Sequence, residues 1–404
     1  HEGVEVLPEA FVQCCFPVLR RRLHSPDDDP AWLAEELDRE LAPLAGRRWS
    51  PAELDAFEAG TVAERGNQPC RLRVRGGHEV VLCDLADSCP AETDPNNDCS
   101  YILAFSLALQ IVGRIRPLPD MDLFVSPINQ DVKETAVPVF TRHRPFEPRG
   151  LYALLPMEWQ LHPRQIRKHL TPAERVGARI PWEHRTPEVL WRGTNSNCFP
   201  SCSIAKAARG DVPLAACLER LDCGPWTWEN WLNTPRGRLV FLTQFVEGIN
   251  ARWTGTSQEI EPSLWRYFEE HNLTAPRMSL DDQTHWRYAL NIDGTGNGDR
   301  VYWQMHAGLL VLVQESPFVS WLVGPVGGQA PAALRPFRHY VPVRYDLSDL
   351  PARLSWLLSH DVEAQRIAEA GRRFAVRHLS YDGVLVYVER LVRRYATEHL
   401  RSAE

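Results

Sequence analysis

The chain has 404 residues, 44% hydrophobic and 24% charged, with a formal net charge of -7. That composition excludes a disordered or fibrous protein, and the length sets two domains as the starting expectation. The arginines are scattered among acids, so the basic field that a polynucleotide partner needs is missing, and no apolar run approaches the roughly 20 residues of a membrane-spanning helix. The sequence starts at His1 rather than Met, which leaves room for a removed signal peptide or an amino-terminal membrane anchor.

In chain order, Ala31 to Leu44 has an amphipathic, acidic pattern that predicts a helix, and Ala86 to Asp98, rich in Asp, Asn and Pro, reads as a disulfide-pinned loop. Ten cysteines (Cys14, Cys15, Cys70, Cys83, Cys89, Cys99, Cys198, Cys202, Cys217 and Cys223) fall in the first 223 positions. None forms a C-x-x-C pair or has histidines at zinc-finger spacing, which points to disulfides in an oxidising compartment rather than a structural metal site. Cys14 and Cys15 are neighbours and call for two different partners, because a bridge between adjacent residues is strained. A helical pattern runs from Ser100 to about Gly113, followed by short buried strands at Leu123 to Val125 and Val137 to Phe140. Residues 147–188, dense in Pro, Trp, His and Arg, are a candidate interdomain crossing, where Trp159 and Trp182 offer aromatic faces to an acceptor sugar.

Val189 to Trp191 reads as a strand ending in Arg192-Gly193, with a helix beginning near Ser203. The clearest unit is strand Tyr288 to Ile292, loop Asp293 to Asp299, helix Arg300 to Ala307, terminator Gly308 and apolar strand Leu309 to Val313, the repeating element of a parallel sheet. A strand at Tyr340 to Val343 and helices over Leu350 to Leu358, Val362 to Leu379 and Gly383 to Tyr395 complete the chain, with Asp361 and Asp382 at N-cap positions. Asn272-Leu273-Thr274 is a glycosylation sequon.

The loop Asp293-Gly294-Thr295-Gly296-Asn297-Gly298-Asp299 lets backbone amides approach a ligand, and a helix start follows it. Such a loop suits a pyrophosphate, and Arg300 adds a permanently charged fork for its oxygens. The spacing matches neither a Walker loop nor a dinucleotide fingerprint.

Several stretches resemble glycosyltransferase family 90, the family of Rumi-type protein O-glucosyltransferases and fungal capsule-associated xylosyltransferases. They are Leu118-Pro119-Asp120-Met121, Leu190-Trp191-Arg192-Gly193-Thr194, Trp286 to Gly294, Gln314-Glu315-Ser316-Pro317 with Trp321, His339 to Val343 and Asp346 to Leu350. The resemblance spans about Ser100 to Tyr395. It implies an α/β protein of GT-B fold, two Rossmann-like domains facing a cleft, here with a disulfide-bearing amino-terminal region. The expected parts are a helical, cysteine-bearing extension over 1–99, an acceptor domain over 100–185, a UDP-sugar-binding domain over 186–379 and a helix crossing back over 380–404.

The resemblance also implies inverting, metal-independent transfer from a UDP-sugar to a hydroxyl of a glycan or protein, in the Golgi or endoplasmic reticulum. The nucleotide residues it marks are Arg192, Gly193, Thr194, Asn195, Asp293, Gly294, Thr295, Gly296, Asn297 and Arg300. Asn195 stands where some members carry a second phosphate arginine. Glu315 reads either as a holder of donor hydroxyls or as a helix-cap carboxylate, and His339 as a structural hydrogen-bonding residue. An inverting enzyme needs one carboxylate to take the acceptor proton. The family's position for it falls on Asn129, so Asp131 is the candidate base, with Asp122 and Asp120 as alternatives. The competing expectation is a binding protein that kept the fold and lost catalysis.

Overall fold

Alternating apolar residues seed two five-stranded sheets. A computed structural model describes residues 16–62, 68–83, 99–126, 135–145, 150–196, 199–200, 221–222, 224–294, 298–316, 318–323 and 333–401. Asp131, Asn129, Thr295, Gly296, Asn297, the loop over 86–98, the helix expected near Ser203 and all cysteines except Cys70, Cys83 and Cys99 lie outside those residues.

The first sheet contains β1 (Cys70–Arg75), β2 (Glu79–Val81), β3 (Met121–Val125), β4 (Val139–Thr141) and β5 (Tyr152–Leu154), in the order β2-β1-β3-β4-β5. Strands β3, β4 and β5 run parallel, and the β1–β2 hairpin joins them antiparallel through β3. Its turn uses Gly76 and Gly77 at φ 57° and 83°, a left-handed geometry that glycine adopts without a Cβ penalty. A disulfide between Cys70 and Cys83 ties the two ends of this hairpin. Residues 70–81 were expected in a helical extension, but the structure makes them part of the first sheet. The run Cys70-Arg71-Leu72-Arg73-Val74-Arg75 buries Cys70, Leu72 and Val74 and sends its arginines to acids: Arg71 to Asp122 and Asp55, Arg73 to Glu58, and Arg75 to Asp122.

The second sheet contains β6 (Thr186–Gly193), β7 (Ile249–Trp253), β8 (Trp286–Asn291), β9 (Leu310–Gln314) and β10 (Val341–Val343), in the order β7-β6-β8-β9-β10, all parallel. Tyr288, Leu290, Leu310 and Leu312 enter one core, and Ala289, Val311 and Val313 enter another, so both faces are covered. The carboxy ends of β6, β8 and β9 fall at Gly193, Asn291 and Gln314, the edge where open parallel sheets bind ligands.

Helices α1 (Pro17–His24), α2 (Ala31–Leu41), α3 (Pro51–Val62), α4 (Cys99–Ile115), α5 (Glu158–Leu161) and α6 (Pro163–Arg175) belong to the first half of the chain. Helices α7 (Pro235–Leu242), α8 (Val301–His306), α9 (Leu350–Ser359), α10 (Asp361–His378) and α11 (Tyr381–His399) belong to the second. Gly308, at φ 74°, follows the end of α8. The N-caps differ from expectation. Ser380, not Asp382, caps α11 by accepting the Gly383 amide, and His360 precedes α10, which leaves the Asp361 carboxylate to the Trp182 indole N–H and Arg287.

Helix α11 returns to the first half of the chain. The Tyr387 hydroxyl donates to the Leu154 carbonyl at 3.0 Å, and buried Glu389 pairs with Arg116, Arg390 and Arg393. A short antiparallel ladder between His143–Pro145 and Phe318–Ser320 also joins the halves. Among the described residues no helix is long and apolar enough to cross a membrane.

Candidate active site

At the carboxy edge of the second sheet lie two adjoining cavities. The smaller, about 370 Å³, is bordered by Gly193, Thr194, Thr254, Arg277 and Arg300. The larger, about 610 Å³, is bordered by Leu103 and Leu107 of α4, Glu158 of α5, and His162 and Gln165. Trp159, His169 and Asp299 border both, so the two form one cleft with a wall from each half of the chain. The Trp159 indole N–H donates to Asp299 at 3.0 Å, a hydrogen bond that crosses the junction.

The Gly-rich loop is pinned at both ends. Asn291 donates to the Gly298 carbonyl at 2.9 Å and accepts the Val301 amide at 3.1 Å. A Cβ on Gly298 would lie 2.7 Å from the Asn291 oxygen, so this closure requires glycine. At the other end, the Asp293 amide donates to Gln314, which also donates to the Tyr345 carbonyl. Because Asn291 occupies the Val301 amide and α8 has only six residues, positive charge at this loop comes from side chains more than from the helix start.

Arg300 borders the smaller cavity, and its guanidinium donates to the Arg192 carbonyl. A second arginine, Arg236, arrives from α7. It donates to the Asp293 carbonyl at 2.8 Å, the Thr194 carbonyl at 2.9 Å and the Ser196 hydroxyl, and lies over the Trp191 ring at 5.6 Å. Burial, and then the neighbouring Arg300 charge, push Arg236 down to about 9. Burial also lowers Arg300, while Asp299 opposes the shift. Among the described residues neither arginine has a carboxylate at ion-pair distance. Asp293 and Asp299 also oppose the shift at Arg236, so the two guanidiniums share their surroundings with two carboxylates.

The other sequence candidates divide into those facing the cleft and those serving the scaffold. Gly193 and Thr194 border the smaller cavity, and a Cβ on Gly193 would lie 2.5 Å from the Trp191 indole. Gly294 lies beneath Arg236, whose guanidinium would be 2.3 Å from an added Cβ. Buried Asp293 accepts the Ser316 hydroxyl at 2.6 Å, and burial pushes its carboxyl up to about 7 against the opposing pull of Ser316 and Arg236.

Arg192 borders the smaller cavity, and its guanidinium donates to the Trp191 carbonyl and to the carbonyl and side chain of Asn250, which also straps β6 to β7. The Asn195 side-chain amide accepts from the Ser257 and Gln258 backbone and donates to the Gln258 carbonyl, which fixes a neighbouring loop. Glu315 lies outside the lining of both cavities, half-buried near Asp349, Arg344 and Arg353, and burial raises its carboxyl.

Asp122 is held by Arg71 at 2.5 Å and Arg75 at 2.6 Å, one on each oxygen, and is not among the residues bordering either cavity. Trp159 and Trp182 are buried, Trp159 at the border of both cavities and Trp182 away from them. His169 stacks on Trp159 at 4.5 Å, and Arg287 lies over Trp182 at 5.5 Å. His339 accepts the Arg335 amide at 2.9 Å.

A family model described as Glycosyl transferase family 90 matches residues 232–401. Similar chains include Protein O-glucosyltransferase 2 of Danio rerio, 34% identical over 228 residues, covering 53% of this chain and 43% of that one. Protein O-glucosyltransferase 1 of Rattus norvegicus is 30% identical over 424 aligned residues, covering 98% of this chain and 92% of that one. The chain belongs to glycosyl transferase family 90. Protein O-glucosyltransferase 3 of Rattus norvegicus is 34% identical over 122 residues, and the match spans 22% of its length. This family 90 chain thus spans less than half the length of two of these relatives and nearly all of the third.

In this family 90 chain, sequence reasoning missed Arg236. The local signal was legible, since Thr234 caps α7 by accepting the Gly237 amide at 3.0 Å and Pro235 opens the helix. That signal places an arginine in the first turn. Its meeting with Asp293, 57 positions away, is set by the sheet.

Proposed function

We propose that this chain is an inverting glycosyltransferase of GT-B type, which moves glucose or xylose from a UDP-sugar to a hydroxyl of a glycan or protein. The observation that carries this reading is a cavity at the Gly-rich loop bordered by Arg300, with Arg236 bonded behind it to the Asp293 and Thr194 carbonyls. As the bond to the anomeric carbon breaks, negative charge grows on the departing diphosphate, and two fixed guanidiniums stabilise it without reorganising. They take the part that a divalent ion plays elsewhere, so the reading is metal-independent. The larger cavity, on the wall from the first half, is the acceptor side. The Cys70–Cys83 disulfide favours a secretory compartment, Golgi or endoplasmic reticulum.

The competing reading, a catalytically inactive sugar- or nucleotide-binding protein, rests on Asn129 at the motif's base position. Incubation with UDP-glucose, UDP-xylose and UDP-galactose separates the two: the enzyme releases UDP from one of them, whereas a binding protein takes up UDP and releases none. Arg236→Ala and Arg300→Ala should each weaken UDP binding by about 1.5–3 kcal/mol, the range for a lost charge-assisted hydrogen bond. In calorimetry, Arg192→Ala should leave UDP affinity unchanged and lower the melting temperature.

A further inference from the structure

An inverting transfer needs its base on the wall facing away from the departing diphosphate. Among the described residues that border the two cavities, the carboxylates are Glu158 and Asp299. Asp299 directly precedes Arg300 and accepts the Trp159 indole N–H, which places it on the diphosphate wall. Glu158 opens α5 on the opposite wall, borders the larger cavity and keeps 30% of its side chain accessible. Arg142 donates to its Oε2 at 3.2 Å. Arg142 is itself buried with its guanidinium 4.7 Å over the Tyr101 ring, so the carboxylate is held from beneath by a cation fixed in the core.

We infer that Glu158 is the general base of the transfer, a role that rests on the glycosyltransferase reading above. In the step, the acceptor O–H proton passes to a Glu158 carboxylate oxygen while the acceptor oxygen forms a bond to the anomeric carbon. The bond from that carbon to the β-phosphate oxygen breaks, its electron pair leaves with UDP, and Arg236 and Arg300 meet the added charge. Glu158 then returns the proton to solvent through its exposed edge. The other charged or titratable groups around it are Arg142 just after β4, His162 and His169 on the cavity wall, and Asp299 across the junction.

The test is E158Q with E158D beside it, using the donor that the wild type turns over. E158Q keeps an acceptor for Arg142 and removes the base. Its turnover should fall about 10²- to 10⁴-fold, the usual contribution of a positioned base. KM for the donor and UDP affinity should not change. E158D should recover part of the rate. Wild-type turnover in E158Q overturns the assignment, as does a slow E158Q whose donor KM or UDP affinity changes with the rate. Loss of rate in Asp131→Asn, with E158Q unaffected, also overturns it and names Asp131 as the base. A wild type that binds UDP and releases it from no donor overturns the transferase reading itself, and the base with it.

Discussion

Asp293 shows how one buried side chain links the cleft to stability. Burial raises its carboxyl to about 7 from an ordinary 3.8, and the Ser316 hydroxyl and the Arg236 charge only partly offset this. The folded protein therefore holds a proton that the unfolded chain releases above about pH 4, so folding is favoured most at low pH and that advantage is lost as pH rises through about 7. Asp293→Asn should leave the melting temperature nearly unchanged below about pH 4 and raise it progressively above the wild type between about pH 4 and 7. Melts across that range read the difference directly, and a difference that does not vary with pH would refute the assignment. The residue itself was legible, because an Asp between a strand and a glycine turn stands out. Its protonation was not, since the burial that raises the carboxyl is set by the fold, as are the opposing Ser316 and Arg236, which approach from 23 and 57 positions away.

At the scale of elements, two glycines of the cleft have different tasks. In Gly193→Ala the new methyl meets the Trp191 indole, which is fully packed edge-to-face against Trp253 at 5.4 Å and has no room to move. That variant should melt lower. In Gly294→Ala the methyl meets the Arg236 guanidinium, whose displacement would disturb its bonds to the Asp293 and Thr194 carbonyls and the Ser196 hydroxyl. That variant should bind UDP more weakly as well as melt lower, which calorimetry and melting on the same pair measure.

Elements with strong local patterns were legible. Strand β8, helix α8 and strand β9 fall within one or two residues of the reading, because hydrophobic period and the Gly308 terminator are local signals. Strand β1 was missed although Leu72 and Val74 alternate with arginines, because its pairing partner β3 is about 50 residues away and the surrounding pattern is helical. Capping was misread at Asp361 and Asp382 because acids also belong in a first helical turn, where they face the helix dipole without capping it. The Trp159–Asp299 bond across the cleft joins residues 140 positions apart and has no local signature.

Across the whole molecule, one face of the second sheet has a core to itself and its other face shares a core with the first sheet, and that shared core is not made from contiguous chain. Helix α11 contributes Val384, Leu391, Tyr387 and Tyr395 to it, the two tyrosines 1% and 0% exposed. Ending the chain after Leu379 should leave the second sheet folded and the first open to solvent. The expected signs are strong binding of an apolar dye, retained UDP affinity and loss of all transfer. Native dye binding by that shortened chain would show that α11 is dispensable. The arrangement also sets a timetable. Leu154 meets Tyr387 from 233 positions later. At about 5–20 residues per second, the first sheet leaves the ribosome some 10–50 s before the helix that covers it. For that interval its apolar face needs shelter from other chains, so the yield of active protein depends on chaperone supply during synthesis.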